Sequence, residues 1–254
     1  MADENERGDK PIALVTGASR GIGRAAALAL GAAGFHIVAM ARTQGALEEL
    51  DDELRTHSPD SKATLAPGDL RDFDAIDRLG GAIFARWGRL DALVANAGVL
   101  GPLSPLAHVE PAQWDDVFRV NVTANWRLIR AVDPLLRKST AGRAVFLTSG
   151  VAHRSEMRAY WGPYAASKAA VDALARTYAA ETANTSAVRV MLVNPGPLRT
   201  KMRAAAMPGE DPMSLRTPDE LGPRIVELCS PGWTETGKIY DFPHDRVMSF
   251  RGPD

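Results

Sequence analysis

Residues 11–34, PIALVTGASRGIGRAAALALGAAG, constrain the fold more than any other part of the chain. The opening apolar run has strand length, shows no polar alternation and ends in glycine, which suits a strand buried on both faces of a parallel sheet. The alanine- and leucine-rich remainder, closed by Gly34, reads as a helix with a glycine stop.

The same beat repeats downstream. FHIVAMA reads as a strand, and GALEELDDELRTHS as an amphipathic helix with Leu47, Leu50 and Leu54 on one face. KATLAPGDL is a weaker strand, FDAIDRLGGAIFARWG a helix, and LDALVANAG a strand running into glycine. A long helix is predicted from about Ala112 to Lys138, with Pro134 kinking it or marking an internal boundary. GRAVFLTSG and AVRVMLVNPG are further strands, separated by a helix that runs to about Asn184. The chain then passes through the irregular, proline-containing stretch Thr200 to Thr217, a helix over DELGPRIVELC and a last short strand in GKIYDF. Strands and helices alternating in this way predict an α/β fold. Its centre is a doubly wound parallel sheet, Rossmann-like, of about seven strands with helices on both faces. No linker interrupts the pattern, so residues 1–254 read as one domain with a flexible tail over 1–10 and a substrate lid over about 200–217.

With 45% hydrophobic residues and a net charge of −1, the chain reads as an ordinary globular protein with no basic surface for nucleic acid or an anionic membrane. Cys229 is the only cysteine and MADENERGDK is unlike a secretory leader, so the expected location is the cytoplasm. No apolar run is long enough to cross a membrane, and the five scattered histidines predict no metal site.

TGASRGIG, Thr16 to Gly23, lies between the first strand and the first helix. Glycine suits a tight turn where backbone must approach a diphosphate, and the helix N-terminus adds free N–H groups and a positive dipole end. In NAD binders an acidic residue on the following strand accepts the ribose hydroxyls. Here that strand ends in Ala41 and Arg42, and Arg20 sits in the turn, so a 2′-phosphate and NADP(H) are preferred while NAD(H) stays open. Tyr164 and Lys168 lie four residues apart, on one face of a helix, where an ammonium would favour the phenolate.

Together these segments resemble the short-chain dehydrogenase/reductase family from Pro11 to about Phe242: TGASRGIG its cofactor turn, ANAG the turn closing its fourth strand, YAASK its YxxxK helix, and NPGPLRT its segment beside the nicotinamide. The resemblance implies that Tyr164 is the general acid/base and that Lys168 lowers its pKa and binds the nicotinamide ribose. It also implies that Ser149 hydrogen-bonds the substrate oxygen, and that Asn121 holds a helix distortion and a water leading to Lys168. Implied cofactor contacts are Gly17, Ser19, Arg20, Gly21, Ile22 and Gly23 in the turn, then Arg42, Asp69 and Leu70. Asn96, Ala97 and Gly98 follow, with Tyr164 and Lys168, and then Pro195, Gly196, Leu198 and Thr200.

Two features depart from the family pattern. Ser149 stands farther from Tyr164 than is usual, with Ser155 the only other serine between them, and GKIYDFPHDR lacks the glycine pair that follows the last strand in many relatives.

The activity implied is hydride transfer between nicotinamide and a carbonyl or secondary alcohol. The alternatives are a non-catalytic dinucleotide sensor or scaffold, an NAD(H)-using dehydrogenase, and isomerase or epimerase chemistry. The partner expected is a small-molecule substrate, and the family implies a homodimer or homotetramer built on the long helices around Asp116 to Leu136 and Tyr164 to Glu181. Met202, Met207 and Met213 could line a lid or fill gaps against the core; Arg199, Lys201, Arg203 and Arg216 could attract an acidic substrate or form a solvated face. His153, Arg154, Met157 and Trp161 are the other candidate pocket wall.

Overall fold

Each apolar run becomes a strand in the computed structural model, which describes residues 10–57, 63–153 and 157–250. The expected tail up to Asp9, and Arg154 and Ser155, lie outside the described residues. In chain order the main elements of the first half are β1 (Ile12–Thr16), α1 (Gly21–Ala32), β2 (His36–Ala41), α2 (Gln44–His57), β3 (Ala63–Pro67), α3 (Phe73–Trp87) and β4 (Ala92–Ala95). Then come α4 (Pro111–Phe118), α5 (Ala124–Leu136), β5 (Arg143–Leu147), α6 (Gly162–Ala183) and β6 (Arg189–Asn194). The last are α7 (Lys201–Ala206), α8 (Gly222–Cys229), β7 (Lys238–Asp241) and β8 (Arg246–Met248).

The strands form one sheet in the order β3-β2-β1-β4-β5-β6-β7-β8, parallel except for the final β7–β8 pair. Alternate residues of each strand serve opposite faces. Ala13 and Val15 pack with Leu30 of α1, Leu47, Leu50 and Leu54 of α2, and Ile225 and Leu228 of α8. Ile12 and Leu14 pack on the other face with Ile76 and Ile83 of α3, Leu128 and Val132 of α5, and Val171 and Ala175 of α6. Burying each such leucine or isoleucine contributes about 1.5–3 kcal/mol, so two apolar layers hold the sheet between helices. The strand order reverses beside β1, whose neighbours are β2 and β4. That reversal opens a crevice at the carboxyl ends of β1 and β4, where ligands bind in sheets of this kind.

Four details refine these expectations. The sheet has eight strands: β8 folds back on β7 through Asp245, which adopts φ 48°. The long helix breaks at a π-helical turn over Arg119–Thr123, while Pro134 lies inside α5 without ending it. Residue 130, whose carbonyl loses its partner to Pro134, is exposed to water. The stretch from Thr200 to Thr217 is ordered by α7 and a 3₁₀ turn at Pro212–Ser214. The final helix begins as a separate 3₁₀ turn, Pro218–Leu221, capped by Thr217 and Glu220.

Two adjacent glycines in α3 show how closely α3 packs on α5. A Cβ on Gly80 would stand 2.8 Å from the Ala131 carbonyl oxygen, whereas one on Gly81 would meet nothing within 4 Å. Gly80→Ala should therefore destabilise the protein by about 1–3 kcal/mol, and Gly81→Ala should stabilise it by up to about 1 kcal/mol. Urea unfolding checks both, and equal signs for the two variants would contradict this packing.

Candidate active site

The glycine turn closes because its glycines occupy positions that side chains could not. Gly17 (φ 67°) and Gly21 (φ 55°) are left-handed, and a Cβ on Gly23 would stand 2.3 Å from the Gly17 carbonyl oxygen. The entry to α1 at Arg20 has no side-chain cap, and the first turn has no acid. Its free N–H groups and positive dipole end therefore face the crevice uncompensated, which fits an anionic diphosphate.

Asn96 ties this turn to β4. Its Nδ2 donates to the Thr16 carbonyl at 2.9 Å, and the Asn96 and Ala97 N–H groups each donate to Thr16 Oγ1 at 3.1 Å. Thr16 is buried, so the strand ends are joined by bonds shielded from water.

Arg20 and Arg42 are exposed, and neither forms an ion pair among the described residues. Asp69 accepts from the Arg71 backbone N–H at 2.9 Å and also faces the Arg71 guanidinium. Arg71 in turn donates to both Asp116 oxygens, at 2.6 and 2.8 Å. That contact holds the Arg71 pKa above its ordinary value and the Asp116 pKa below. Arg71 and Asp116 thus lock the Asp69–Leu70 turn to α4. Sequence reasoning passed over them, because only the fold brings residues 45 positions apart together.

The π-turn is held by Asn121, which is fully buried. Its Oδ1 accepts from Val99 N–H at 2.8 Å, and its Nδ2 donates to the Val99 carbonyl and to Ser167 Oγ, both at 2.9 Å. Asn125 Nδ2 donates to the Asn121 carbonyl at 2.5 Å, capturing a main-chain acceptor of the distorted turn. A Cβ on Gly98 would stand 3.2 Å from Asn121 Oδ1 and 3.6 Å from Lys168 Nζ, so the turn after β4, the distorted helix and α6 meet at this glycine.

Tyr164 and Lys168 are both buried on α6, with the ammonium 5.8 Å from the centre of the phenol ring. Lys168 Nζ donates to the Leu147 carbonyl at 2.7 Å. Ser149 lies two residues beyond β5 in extended conformation, and its hydroxyl is close enough to the Tyr164 phenol to favour the phenolate. Burial outweighs that help and pushes the Tyr164 pKa up to about 12. Burial also pulls Lys168 down to about 8, opposed by the charge of Asp172. Burial thus moves both groups toward their neutral forms.

On the other side, Asn194 at the end of β6 donates to Asp241 at 2.7 Å and accepts from Gly196 N–H at 3.2 Å. This shapes the turn through Pro195 and Gly196 (φ 65°). Leu198 is buried, and Thr200 caps α7 by accepting from Arg203 N–H at 3.1 Å. A Cβ on Gly21 would lie 3.4 Å from Thr200 Cγ2, so the segment after β6 borders the first glycine turn. Ser19 precedes α1 in that turn and Ile22 lies in the first turn of α1.

Beside Tyr164, an apolar wall is built from Val151, Trp161, Ala165 and Ala206, with Leu100 and Met207 against it. Met207 thus packs on the site, whereas Met157 and Met213 are exposed. The arginines in and just before the 200–217 segment are committed locally: Arg203 to Glu210, Arg216 to Glu220, and Arg199 to the Pro212 and Leu215 carbonyls. Cys229 is buried and its thiol is pushed up to about 12, a structural rather than reactive state. Among the described residues no acidic, histidine or cysteine cluster could hold a metal ion, and no helix is long and apolar enough to cross a membrane.

Comparison with known proteins agrees with this fold. The family model for short chain dehydrogenases matches residues 11–211. The uncharacterized oxidoreductase YciK of Escherichia coli K12 is 38% identical over 232 residues, covering 91% of this chain and 90% of that protein. An uncharacterized NAD-dependent oxidoreductase of Mycobacterium tuberculosis H37Rv is 32% identical over 249 residues, covering 87% and 90%. Among solved structures, a short chain dehydrogenase from Escherichia coli CFT073 complexed with NADPH superposes with a TM-score of 0.86 at 36% identity, covering 92% of this chain and 97% of the other.

Proposed function

The chain belongs to the short-chain dehydrogenase family, and from that premise we propose that it is an NADP(H)-dependent oxidoreductase acting on a carbonyl or secondary alcohol, with Tyr164 as general acid/base. The observation that carries this reading is the convergence of Ser149, Tyr164 and Lys168 beside a crevice whose glycine turn leaves no room for side chains. When bound, NADP(H) supplies or accepts the hydride. Gly17 to Gly23 and the N-terminus of α1 would hold its diphosphate. Arg20 and Arg42, exposed and without ion-pair partners among the described residues, would hold the 2′-phosphate. Asp69 and Leu70 would border the adenine, while Asn96 to Gly98 and Pro195 to Thr200 would flank the nicotinamide end.

In the reducing direction the neutral phenol is the form required, and a pKa of about 12 keeps Tyr164 protonated throughout the working range. Ser149 and Tyr164 hydrogen-bond the carbonyl oxygen as negative charge develops on it, and the Tyr164 proton moves to that oxygen. Lys168, positive below about pH 8, offsets the charge left on the phenolate. Oxidation of an alcohol runs the same proton transfer backwards and starts from the phenolate, so it gains as pH rises. Asn121 keeps the π-turn against Ser167 and, with Lys168, borders Gly98. The apolar wall with Trp161 and Met207 favours a substrate with an apolar body, and α7 with the following turn forms the lid. The subunit contact belongs to α5 and α6, where α5 exposes Trp126.

Tyr164→Phe should reduce carbonyl turnover at least a thousand-fold, about 4 kcal/mol of barrier, with NADPH affinity unchanged. Initial rates at the reduced-nicotinamide absorbance check this, and substantial residual turnover would remove Tyr164 from the chemistry. Arg42→Glu should weaken NADPH about 10- to 100-fold, the loss of one charge-assisted hydrogen bond, while leaving NADH binding level or improved. Fluorescence titration distinguishes the cofactors, and an equal loss for both would argue against a 2′-phosphate contact.

A further inference from the structure

The catalytic face of α6 does not end at Lys168. One turn on, Asp172 is buried at 5% exposure, flanked by Val171 and Ala175, which belong to the apolar core. Asp172 Oδ2 lies 3.2 Å from His153 Nε2, on the loop that leads from Ser149 to Tyr164. Its other oxygen, Oδ1, and the nearby Thr148 Oγ1 are buried without a hydrogen-bonding partner. Thr148 nonetheless stands close enough to favour the ionised carboxylate. The His153 ring also lies 5.6 Å from Phe250, over which Arg176 of α6 stands at 4.3 Å. A carboxylate at such a place costs stability unless its charge is used.

We propose that Asp172 is a positioning residue of the active site: paired with His153, it supplies the counter-charge that keeps Lys168 protonated and ties the Ser149 loop to the catalytic helix. This rests on the reading of Lys168 given above. The groups facing the pair come from four elements. Lys168 and Arg176 come from α6, His153 from the loop after β5, and Thr148 from the end of β5. Asp241 comes from β7, where it is engaged by Asn194, His244 and Arg246 and acts on His153. Burial pushes Asp172 up to about 7 and favours the neutral His153 imidazole, so the carboxyl of the pair changes its charge near neutrality. Above that range Asp172 is charged. There it props up the Lys168 ammonium, which burial would otherwise neutralise.

The sign of the effect follows. Removing the Asp172 charge takes away support from the charged form of Lys168, so the lysine should lose its proton at lower pH. In Asp172→Asn the basic limb of kcat/KM for carbonyl reduction should move down by about one pH unit. The Lys168 titration in the cofactor-free protein, followed by NMR with ε-carbon-labelled lysine, should move by the same amount. Asp172→Glu should restore both. His153→Gln should raise KM for the carbonyl with little change in that limb, because it frees the loop and leaves the carboxylate. Asp172→Leu, which needs no polar partner, repeats the test if the asparagine variant does not fold.

A folded Asp172→Asn or Asp172→Leu whose basic limb and lysine titration match the wild type overturns the proposal. Failure of both to fold, which would assign Asp172 to the fold alone, overturns it too. If the wild type reduces carbonyls and Tyr164→Phe does not, such a result leaves the assignment of Tyr164 intact; if Tyr164→Phe stays active, the underlying reading has failed instead.

Discussion

Burying the Lys168 ammonium is the constraint on which the rest of this site depends. At 4% exposure its charge has left water behind, a change that costs several kcal/mol unless partners replace the lost solvation. The Leu147 carbonyl at 2.7 Å is one such partner, fixed because β5 ends there. Asp172 is another, one helical turn away. Gly98 is small because Asn121 and the lysine already fill the space beside it. The buried phenol shares the cost, since desolvation moves Tyr164 and Lys168 in opposite pKa directions, both toward neutrality.

A second set of bonds places this chemistry where a cofactor can reach it. Thr16 and Asn96 join β1 to β4 at the point where the strand order reverses, and Gly17 and Gly23 approach so closely that any side chain would part them. Arg71 and Asp116 fasten the turn after β3 to α4. The crevice is thus lined from three strand ends whose relative positions the sheet register sets, and α6 delivers Tyr164 and Lys168 to its edge.

Much of this was legible in the sequence because strands buried on both faces are written as unbroken apolar runs. PIALVTG and AVRVMLVNPG leave little choice, and Leu47, Leu50 and Leu54 declare their face by spacing alone. The missed β8 is only three residues long and partly exposed, so it carries no apolar signature. The local pattern put the break in the long helix at Pro134; it occurs at Asn121, where the family resemblance implied a distortion. Its cause is tertiary: the amide bonds Val99 and Ser167, which no local pattern announces. The phenol's pKa could not be read from a four-residue spacing either, because depth of burial decides it. Asp172 stood four residues past Lys168 in plain view, yet spacing says nothing about whether a carboxylate is buried. The arginines near Thr200 were identifiable as a cluster, but their commitment to Glu210, Glu220 and loop carbonyls needed the fold.

The most direct measurement follows a labelled hydride. The protein is incubated with NADPH carrying deuterium on the transferable nicotinamide position and a panel of apolar ketones and aldehydes, and the products are weighed by mass spectrometry. The account predicts an alcohol bearing one deuterium on the former carbonyl carbon, formed by the wild type and not by Tyr164→Phe. NADPH that binds but passes its label to none of the carbonyls, or passes it equally well without the Tyr164 hydroxyl, would contradict it.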